Sequence, residues 1–370
     1  MIMRIQWREA RHFHLDLIPV EYAKYNSIVA NPPLKSITLK ELSESLGLSK
    51  STVSRILNGV GDAHRIAAET QQRVHKAAKR LGYSANTVAR SLRQKRSYTI
   101  GVILPEISEG YSTAVLSGIE DELLKNEFFY LVVSHRHRRE LLEGYSRMML
   151  SRSVEGIIAI DTMLEEDLPV PQVNISGHGR RKDIISIELD HNEAARQALE
   201  HLKNLGHRRF AFIKGQSFSS DSAPRWQAIV TMAQQLEITI DPALVVELEG
   251  IEPGSGPGFA VTQQLLASQH PFTAIFAFND VTAIGAIQAL REAGLRVPRD
   301  VSVVGFDDVQ IATVSQPALT TIHQPLHAMG QVAASTLLEL IRGEIPEPHP
   351  AVLTVHPHLV VRKSTGRPPL

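Results

Sequence analysis

Residues 38–58 read TLKELSESLGLSKSTVSRILN, and this stretch decides the first part of the fold. Thr38 followed by Glu41 is a capping box, in which each side chain satisfies a backbone N–H left free at a helix start. Leu39, Leu42 and Leu46 then form an apolar stripe at helical spacing. Gly47 supplies the positive φ of a tight turn. Ser49 can cap a second helix, whose Val53, Ile56 and Leu57 face inward. Lys50, Ser51, Ser54 and Arg55 are left pointing outward. Two short helices about a glycine turn form a helix-turn-helix pattern, whose second helix enters the DNA major groove with its first residues at base edges. An ordinary helical hairpin shares the pattern, so the surrounding charge has to decide.

The whole chain of 370 residues carries 39 Lys and Arg against 39 Asp and Glu, a formal charge of zero. The zero is a cancellation. Residues 36–97 hold 12 bases and 4 acids, a surplus of +8, and residues 1–35 add +2 from 5 bases and 3 acids. Residues 98–370 hold 22 bases and 32 acids, or −10. A basic module able to neutralise several phosphates is therefore tied to an acidic body, which favours the DNA-binding reading over a plain hairpin. Beyond the quoted stretch, residues 69–81 predict a third helix with Val74, Ala77, Ala78 and Leu81 on one face, ended by Gly82. NTVARSLR at 86–93 is a further short helical pattern before a basic linker at 94–97. Upstream, residues 1–35 are polar and weakly periodic and read as a poorly ordered extension.

From Tyr98 the texture changes. Short apolar runs at 99–104, 129–134, 156–160, 172–176, 184–189, 209–213, 244–248, 274–278 and 301–306 alternate with amphipathic segments of helix length. Such alternation predicts parallel sheets covered by helices on both faces, and so many strands predict two α/β subdomains. A ligand is then expected in the crevice at the carboxyl ends of the strands. The chain has no cysteine, which excludes disulfides, thiolate catalysis and Cys-ligated metal sites. No apolar run approaches the roughly 18 residues of a membrane span. The first residues, MIMRIQWREARHFH, lack the apolar core of a secretory signal. A cytoplasmic protein without a membrane partner is the expectation. There is no phosphate loop, GxSxG or HExxH motif, so neither an enzymatic activity nor a cofactor is expected. The pairs His135/His137 and His356/His358 read as surface histidines rather than metal ligands.

Several motifs in order resemble the LacI/GalR family of transcription regulators: TLKELSESLGLSKSTVSRILNG, then TQQRVHKAAKRLGYSANTVARSL, then YTIGVILPEIS, and finally FAFNDVTAIGAIQALREAGLRVPRDVSVVGFDDVQIATVSQPALTTIHQP. The resemblance runs from about Ser36 to about Lys363. It implies an N-terminal all-α helix-turn-helix domain with a hinge helix, followed by an α/β periplasmic-binding-protein-like core of two Rossmann-like subdomains. The expected boundaries are 36–83 for the DNA-binding domain and 84–97 for the hinge and linker. Residues 98–189 with 325–350 are assigned to the first subdomain of the core. Residues 190–324 with 351–370 are assigned to the second.

The resemblance also implies a mechanism and a partner set. A homodimer is expected to hold pseudo-palindromic, double-stranded operator DNA as a repressor, under control of a small effector such as a carbohydrate. Lys50, Ser51 and Arg55 would read bases, and Thr38, Ser49, Thr52, Ser54 and Asn58 would contact phosphates. In the hinge, Leu92, with Ala89 and Asn86, matches the family's minor-groove wedge. In the cleft, Tyr111, Asn174, Arg225, Trp226, Asn279 and Asp307 are the expected effector contacts. Asn279 and Asp307 also have bland readings, as a helix cap and a turn residue. The chain departs from the family at several points. Gly61–Arg65 is longer than usual, Ala67 stands where a Ser N-cap is usual, and Gly110-Tyr111-Ser112 replaces a Pro-aromatic-aromatic run. Ala228 replaces a common Gly, and no leucine-heptad tail supports a tetramer. Two other classes share parts of this pattern, a solute-binding protein of a transport system and an α/β enzyme.

Overall fold

The computed structural model describes residues 37–57, 59, 61–83, 96–107, 110–164, 167–176, 184–250, 254–345 and 350–369. The expected extension at 1–35, Asn58, and the hinge positions Asn86, Ala89 and Leu92 lie outside these residues. The chain divides into two compact units, Met1–Arg90 and Ser91–Leu370.

The first unit is built from α1 (Leu39–Leu46), α2 (Lys50–Leu57) and α3 (Ala68–Arg80), with a short 3-10 turn at Asp62–His64 inside the lengthened connection. Both halves of the capping box form: Glu41 N donates to Thr38 Oγ1 at 3.2 Å, and Thr38 N donates to Glu41 Oε2 at 2.7 Å. Gly47 sits at φ 66°, as the turn requires. Thr52 N donates to Ser49 Oγ at 3.1 Å, capping α2. Ala67 gives α3 no side-chain cap, a loss of about 1 kcal/mol at that helix start. Leu42, Val53, Ile56, Val74, Ala77 and Ala78 form the core where the three helices meet. Leu81, expected on that apolar face, follows the end of α3 and is exposed.

The second unit holds two six-stranded sheets. The first sheet has the order β11-β5-β4-β3-β1-β2, with β1 Thr99–Leu104, β2 Phe129–Ser134, β3 Gly156–Ile160, β4 Gln172–Ile175, β5 Ile185–Leu189 and β11 Val352–Val355. The second has the order β12-β10-β9-β8-β6-β7, with β6 Phe210–Lys214, β7 Val245–Glu247, β8 Ala274–Ala277, β9 Ser302–Asp307, β10 Thr320–His323 and β12 His358–Val360. All pairs are parallel except β10 with β12. β11 pairs with β5, so residues 352–355 belong to the first subdomain. This corrects the expected assignment of 351–370 to the second. The chain returns to the second sheet only at β12, and β11 completes an edge that β5 would otherwise expose.

Helices cover both faces of each sheet: α4 (Tyr111–Lys125), α5 (Arg139–Ser151) and α11 (Leu326–Arg342) on the first, α6 (His191–Leu205), α7 (Ser222–Gln235), α8 (Gly256–Ala267) and α9 (Asp280–Glu292) on the second, where the five-residue α10 (Gln310–Val314) follows β9. The near-continuous Ile and Val of β1, β3 and β9 are buried because both faces are covered. Two helix pairs approach unusually closely. A Cβ on Gly118 of α4 would lie 1.9 Å from the His327 carbonyl oxygen of α11. A Cβ on Gly285 of α9 would lie 2.1 Å from the Ser255 oxygen at the start of α8. Only glycine permits these contacts, which set the helix spacing of each subdomain.

Candidate functional site

The first unit presents Lys50, Ser51 and Arg55 exposed on α2, together with Thr38 and Ser49. Thr52 and Ser54 are half-buried. The 3.6-residue period explains the division: Val53 and Ile56 turn into the core, which leaves Lys50, Ser51 and Arg55 on the outer face. Arg73 of α3 donates to the Leu46 carbonyl at 2.8 Å and braces the end of α1. The Thr38 hydroxyl and backbone N–H both donate to Glu41, and the Ser49 hydroxyl bonds with Ser51 and Thr52, so a phosphate would have to exchange for these contacts.

In the second unit the carboxyl ends of both sheets face one cavity of about 550 Å³. Tyr111, Arg225, Asn279 and Asp307 line it, as do Asp161, Asp221, Phe218, Phe278 and His137. Arg225 organises the floor. Its Nη2 donates to Asp221 Oδ2 at 2.7 Å, one helical turn earlier, and its Nη1 donates to the Phe278 carbonyl at 2.6 Å. The guanidinium contacts two aromatic rings, its Cζ 4.4 Å from the Phe278 centroid and 3.8 Å from that of Phe306. These two cation–π contacts, with the two hydrogen bonds, hold it in place. Its Nε is buried and has no partner.

The carboxylates come from strand ends. Asp161 follows β3 with φ 42°, and Asp307 closes β9 with φ 106°. Asp tolerates this left-handed region better than most residues, yet at a cost that clusters at functional sites. Burial pushes both carboxyls up, each to about 7. The neighbouring Asp221 adds to the rise at Asp161, whereas Arg225 opposes it at Asp307. Gln324 Nε2 donates to Asp307 Oδ1 at 2.6 Å. Asp161 accepts from Ser220 N at 2.9 Å and from Ser219 Oγ at 3.3 Å, across the cleft between the two sheets. The Ser220 hydroxyl touches both Asp161 and the Ser176 carbonyl. It has a single proton, so both contacts are hydrogen bonds only when Asp161 is itself protonated. Tyr111 donates to Ser176 Oγ at 2.8 Å, and burial raises its phenol well above the usual range. At the mouth His137 stacks on Phe218 with centroids 4.0 Å apart, and burial lowers the pKa of its imidazole.

Two expected contacts lie elsewhere. Trp226 packs edge-on against Phe212 at 5.7 Å in the core of the second subdomain and does not line the cavity. Successive helical residues point about 100° apart, so α7 cannot aim both Arg225 and Trp226 at the cleft. Asn174 is buried within β4, and it too is absent from the cavity wall. Asn279 lines the wall while capping α9, its side chain accepting from Thr282 N at 2.8 Å. His135 is buried rather than on the surface, within 3.0 Å of the Thr162 hydroxyl, and burial lowers its pKa to about 4. Asp161 and Asp221 were not singled out from the sequence. Signals for both exist: Asp161 directly follows the run GIIAI, and Asp221 stands four residues before Arg225.

A helix-turn-helix unit preceding a two-sheet core with a polar cleft at its strand ends defines a ligand-responsive DNA-binding regulator. Residues 38–86 match the family described as bacterial regulatory proteins, lacI family, and residues 199–365 match a periplasmic binding protein-like domain. The HTH-type transcriptional repressor PurR of Pasteurella multocida is 30% identical over 338 residues, covering 88% of this chain and 98% of that protein. The lac repressor dimer bound to operator and the anti-inducer ONPF superposes with a TM-score of 0.79 at 28% identity, covering 90% of this chain and 100% of that one. A transcriptional regulator CelR–cellobiose complex gives 0.67 at 27% identity, covering 89% and 99%. The chain belongs to the lacI family of bacterial regulatory proteins. It is a sequence-specific DNA-binding transcriptional regulator, which sets aside the transport and enzyme alternatives. Among the described residues no helix is long and apolar enough to cross a membrane.

Proposed function

We infer that this regulator is a cytoplasmic homodimeric repressor whose operator affinity is set by a hydroxylated ring bound in the cleft. The observation that carries the reading is the buried Arg225–Asp221 pair, flanked by Asp161 and Asp307, in a cavity of about 550 Å³. Carboxylates accept from vicinal hydroxyls, and the remaining guanidinium N–H groups donate to a ring or hydroxyl oxygen. Phe218 and Phe278 offer apolar faces to the ring. The sugar ligand of the CelR complex, a protein of the same fold, supports the same class here.

In this reading Lys50, Ser51 and Arg55 contact base edges, and Thr38, Ser49, Thr52, Ser54 and Asn58 contact phosphates. Leu92, with Ala89 and Asn86, enters the minor groove. The solved dimer of the lac repressor on its operator supports two such chains acting together. Ligand binding biases the two subdomains between arrangements, and its sign on DNA follows from which arrangement it prefers. A thermal-shift panel of sugars, sugar phosphates and nucleobases tests the proposal. A sugar that raises the melting temperature and changes operator affinity is the expected result. Stabilisation by nucleobases alone would overturn the sugar assignment.

A further inference from the structure

The cleft has an uneven charge balance. Asp161, Asp221, Asp307 and, at the mouth, Glu106 line it, against a single cationic side chain, Arg225, among the described residues. That cation is already paired with Asp221 at 2.7 Å and bonded to the Phe278 carbonyl. What remains of it is one buried, unpartnered Nε and the unused Nη hydrogens. Helix starts do not supply the missing donors. The α9 start is capped by Asn279, and Asp221 stands at the α7 start. The α4 start, behind Tyr111 and Ser112, is open but shares the cavity with the three aspartates. Asp161 and Asp307 thus face the ligand space with neutral partners of their own, the Ser219–Ser220 hydroxyls and Gln324.

We propose that Asp161 and Asp307 are specificity-determining residues that admit uncharged hydroxylated ligands and exclude those bearing phosphate or carboxylate. The proposal rests on the cleft being the effector site and adds the charge class that the site accepts. An anionic group placed about 6 Å from one unpaired carboxylate, at an effective dielectric of about 20, loses about a hundredfold in affinity. A hydroxyl instead gains an acceptor. The protonation of the pair follows the same logic. A donated ligand hydrogen bond favours the charged carboxylate, whereas a ligand phosphate favours the protonated acid. The charged and titratable groups facing the pair are Asp221, Arg225 and Tyr111 from α7 and α4, His137 and Glu106 at the mouth, Asp280 and Asp308 beside Asp307, and His191 beside Asp221. Burial pushes both carboxyls up, to about 7 each. Affinity for a neutral ligand therefore rises with pH through that range, and affinity for its anionic counterpart falls.

The test is calorimetric titration of the full chain with matched sets: glucose, glucose 6-phosphate and glucuronate; ribose and ribose 5-phosphate; adenosine and its 5′-monophosphate. Measurements span about pH 6 to 8.5, and glucuronate keeps a constant charge across that range. Arg225→Ala marks which heats come from the cleft, since the basic first unit can also take up phosphate esters. The expected result is binding by neutral members, with anionic partners at least about a hundredfold weaker at the upper pH. Asp161→Asn and Asp307→Asn, checked for folding by their melting curves, should each narrow that ratio. A purely structural role would weaken both members equally and leave the ratio unchanged. An anionic member that binds the cleft as tightly as its neutral parent at the upper pH overturns the proposal. A neutral nucleoside bound with its nucleotide excluded would remove the sugar assignment and leave the charge rule standing. A bound sugar phosphate would do the reverse.

Discussion

Replacing Arg225 by alanine removes the one Arg or Lys that lines the cleft among the described residues, and the structure sets the size of the effect. The change removes Arg225 from the buried Asp221 pair and leaves His191 Nε2 at 3.4 Å beside that carboxylate, at a cost of at most about 3–5 kcal/mol before protonation of the carboxyl recovers part of it. The stacking on Phe278 and Phe306, at 4.4 and 3.8 Å, is lost as well. The unliganded variant should therefore melt several degrees below the parent. The ligand loses charge-assisted hydrogen bonds of about 1.5–3 kcal/mol each, so two of them weaken binding at least about a hundredfold. A ligand at about 100 times its dissociation constant stabilises the parent by about 2.7 kcal/mol. At the same concentration the variant retains about 0.4 kcal/mol. With about 2 °C per kcal/mol for a core of this length, the ligand-induced shift falls from about 5 °C to about 1 °C. Thermal melting at fixed ligand concentration measures both numbers. A full ligand-induced shift in a folded Arg225→Ala protein would refute the assignment. Equal loss in Trp226→Ala would refute the division of α7 into a cleft face and a core face.

Other consequences follow from particular residues. Arg55→Ala should cost about 1–3 kcal/mol of operator affinity and relax selectivity at one base pair. Anisotropy titrations over single-base operator variants read this directly, and a uniform loss across all sequences would make Arg55 a phosphate contact instead. Leu92→Ala should weaken specific operator binding strongly while leaving the calorimetric affinity of the cleft intact, and unchanged gel-shift affinity would exclude the wedge role. Asp280 is fully buried, accepting from Val309 N at 2.8 Å and from the Thr321 hydroxyl, and burial pushes its carboxyl up to about 8. Its folded pKa exceeds the unfolded value near 4, so this contribution is complete below about pH 4 and is lost as pH rises toward 8. Asp280→Asn can keep both bonds, accepting from Val309 N–H and donating to Thr321 Oγ1. The stability difference should grow in its favour by about 1 kcal/mol per pH unit between those limits. Parallel stability curves in denaturant titrations would contradict this.

The helix-turn-helix was legible because its signals are local. A capping box, a glycine at positive φ and a period of 3.6 all lie within 21 residues and all agree. The nine apolar runs of the core were legible for the same reason, since strands covered on both faces read as continuous Ile and Val. β10, β11 and β12 were not, because TTIH, VLTV and HLV are runs of 3–4 residues that mix Thr or His with apolar residues and carry no continuous apolar signal. The same shortness hid the return of β11 to the first sheet, which depends on pairing with β5 some 160 residues earlier. In the cleft, Arg225 and Asp307 were legible from motif position. Trp226 was misplaced because adjacency in sequence is not adjacency across a helix. The pairing of Asp161 with Ser219 and Ser220 joins two different sheets, and nothing local records it.

In the proposed function one chain couples a DNA site to a cleft site. By linkage, the factor by which effector changes operator affinity must equal the factor by which operator changes effector affinity. Fluorescence anisotropy of a selected operator with and without a cleft ligand gives the first factor, and calorimetry of that ligand with and without operator gives the second. Two equal factors are expected, each differing from one by about fivefold or more. Tight binding of both partners with neither affecting the other would contradict it.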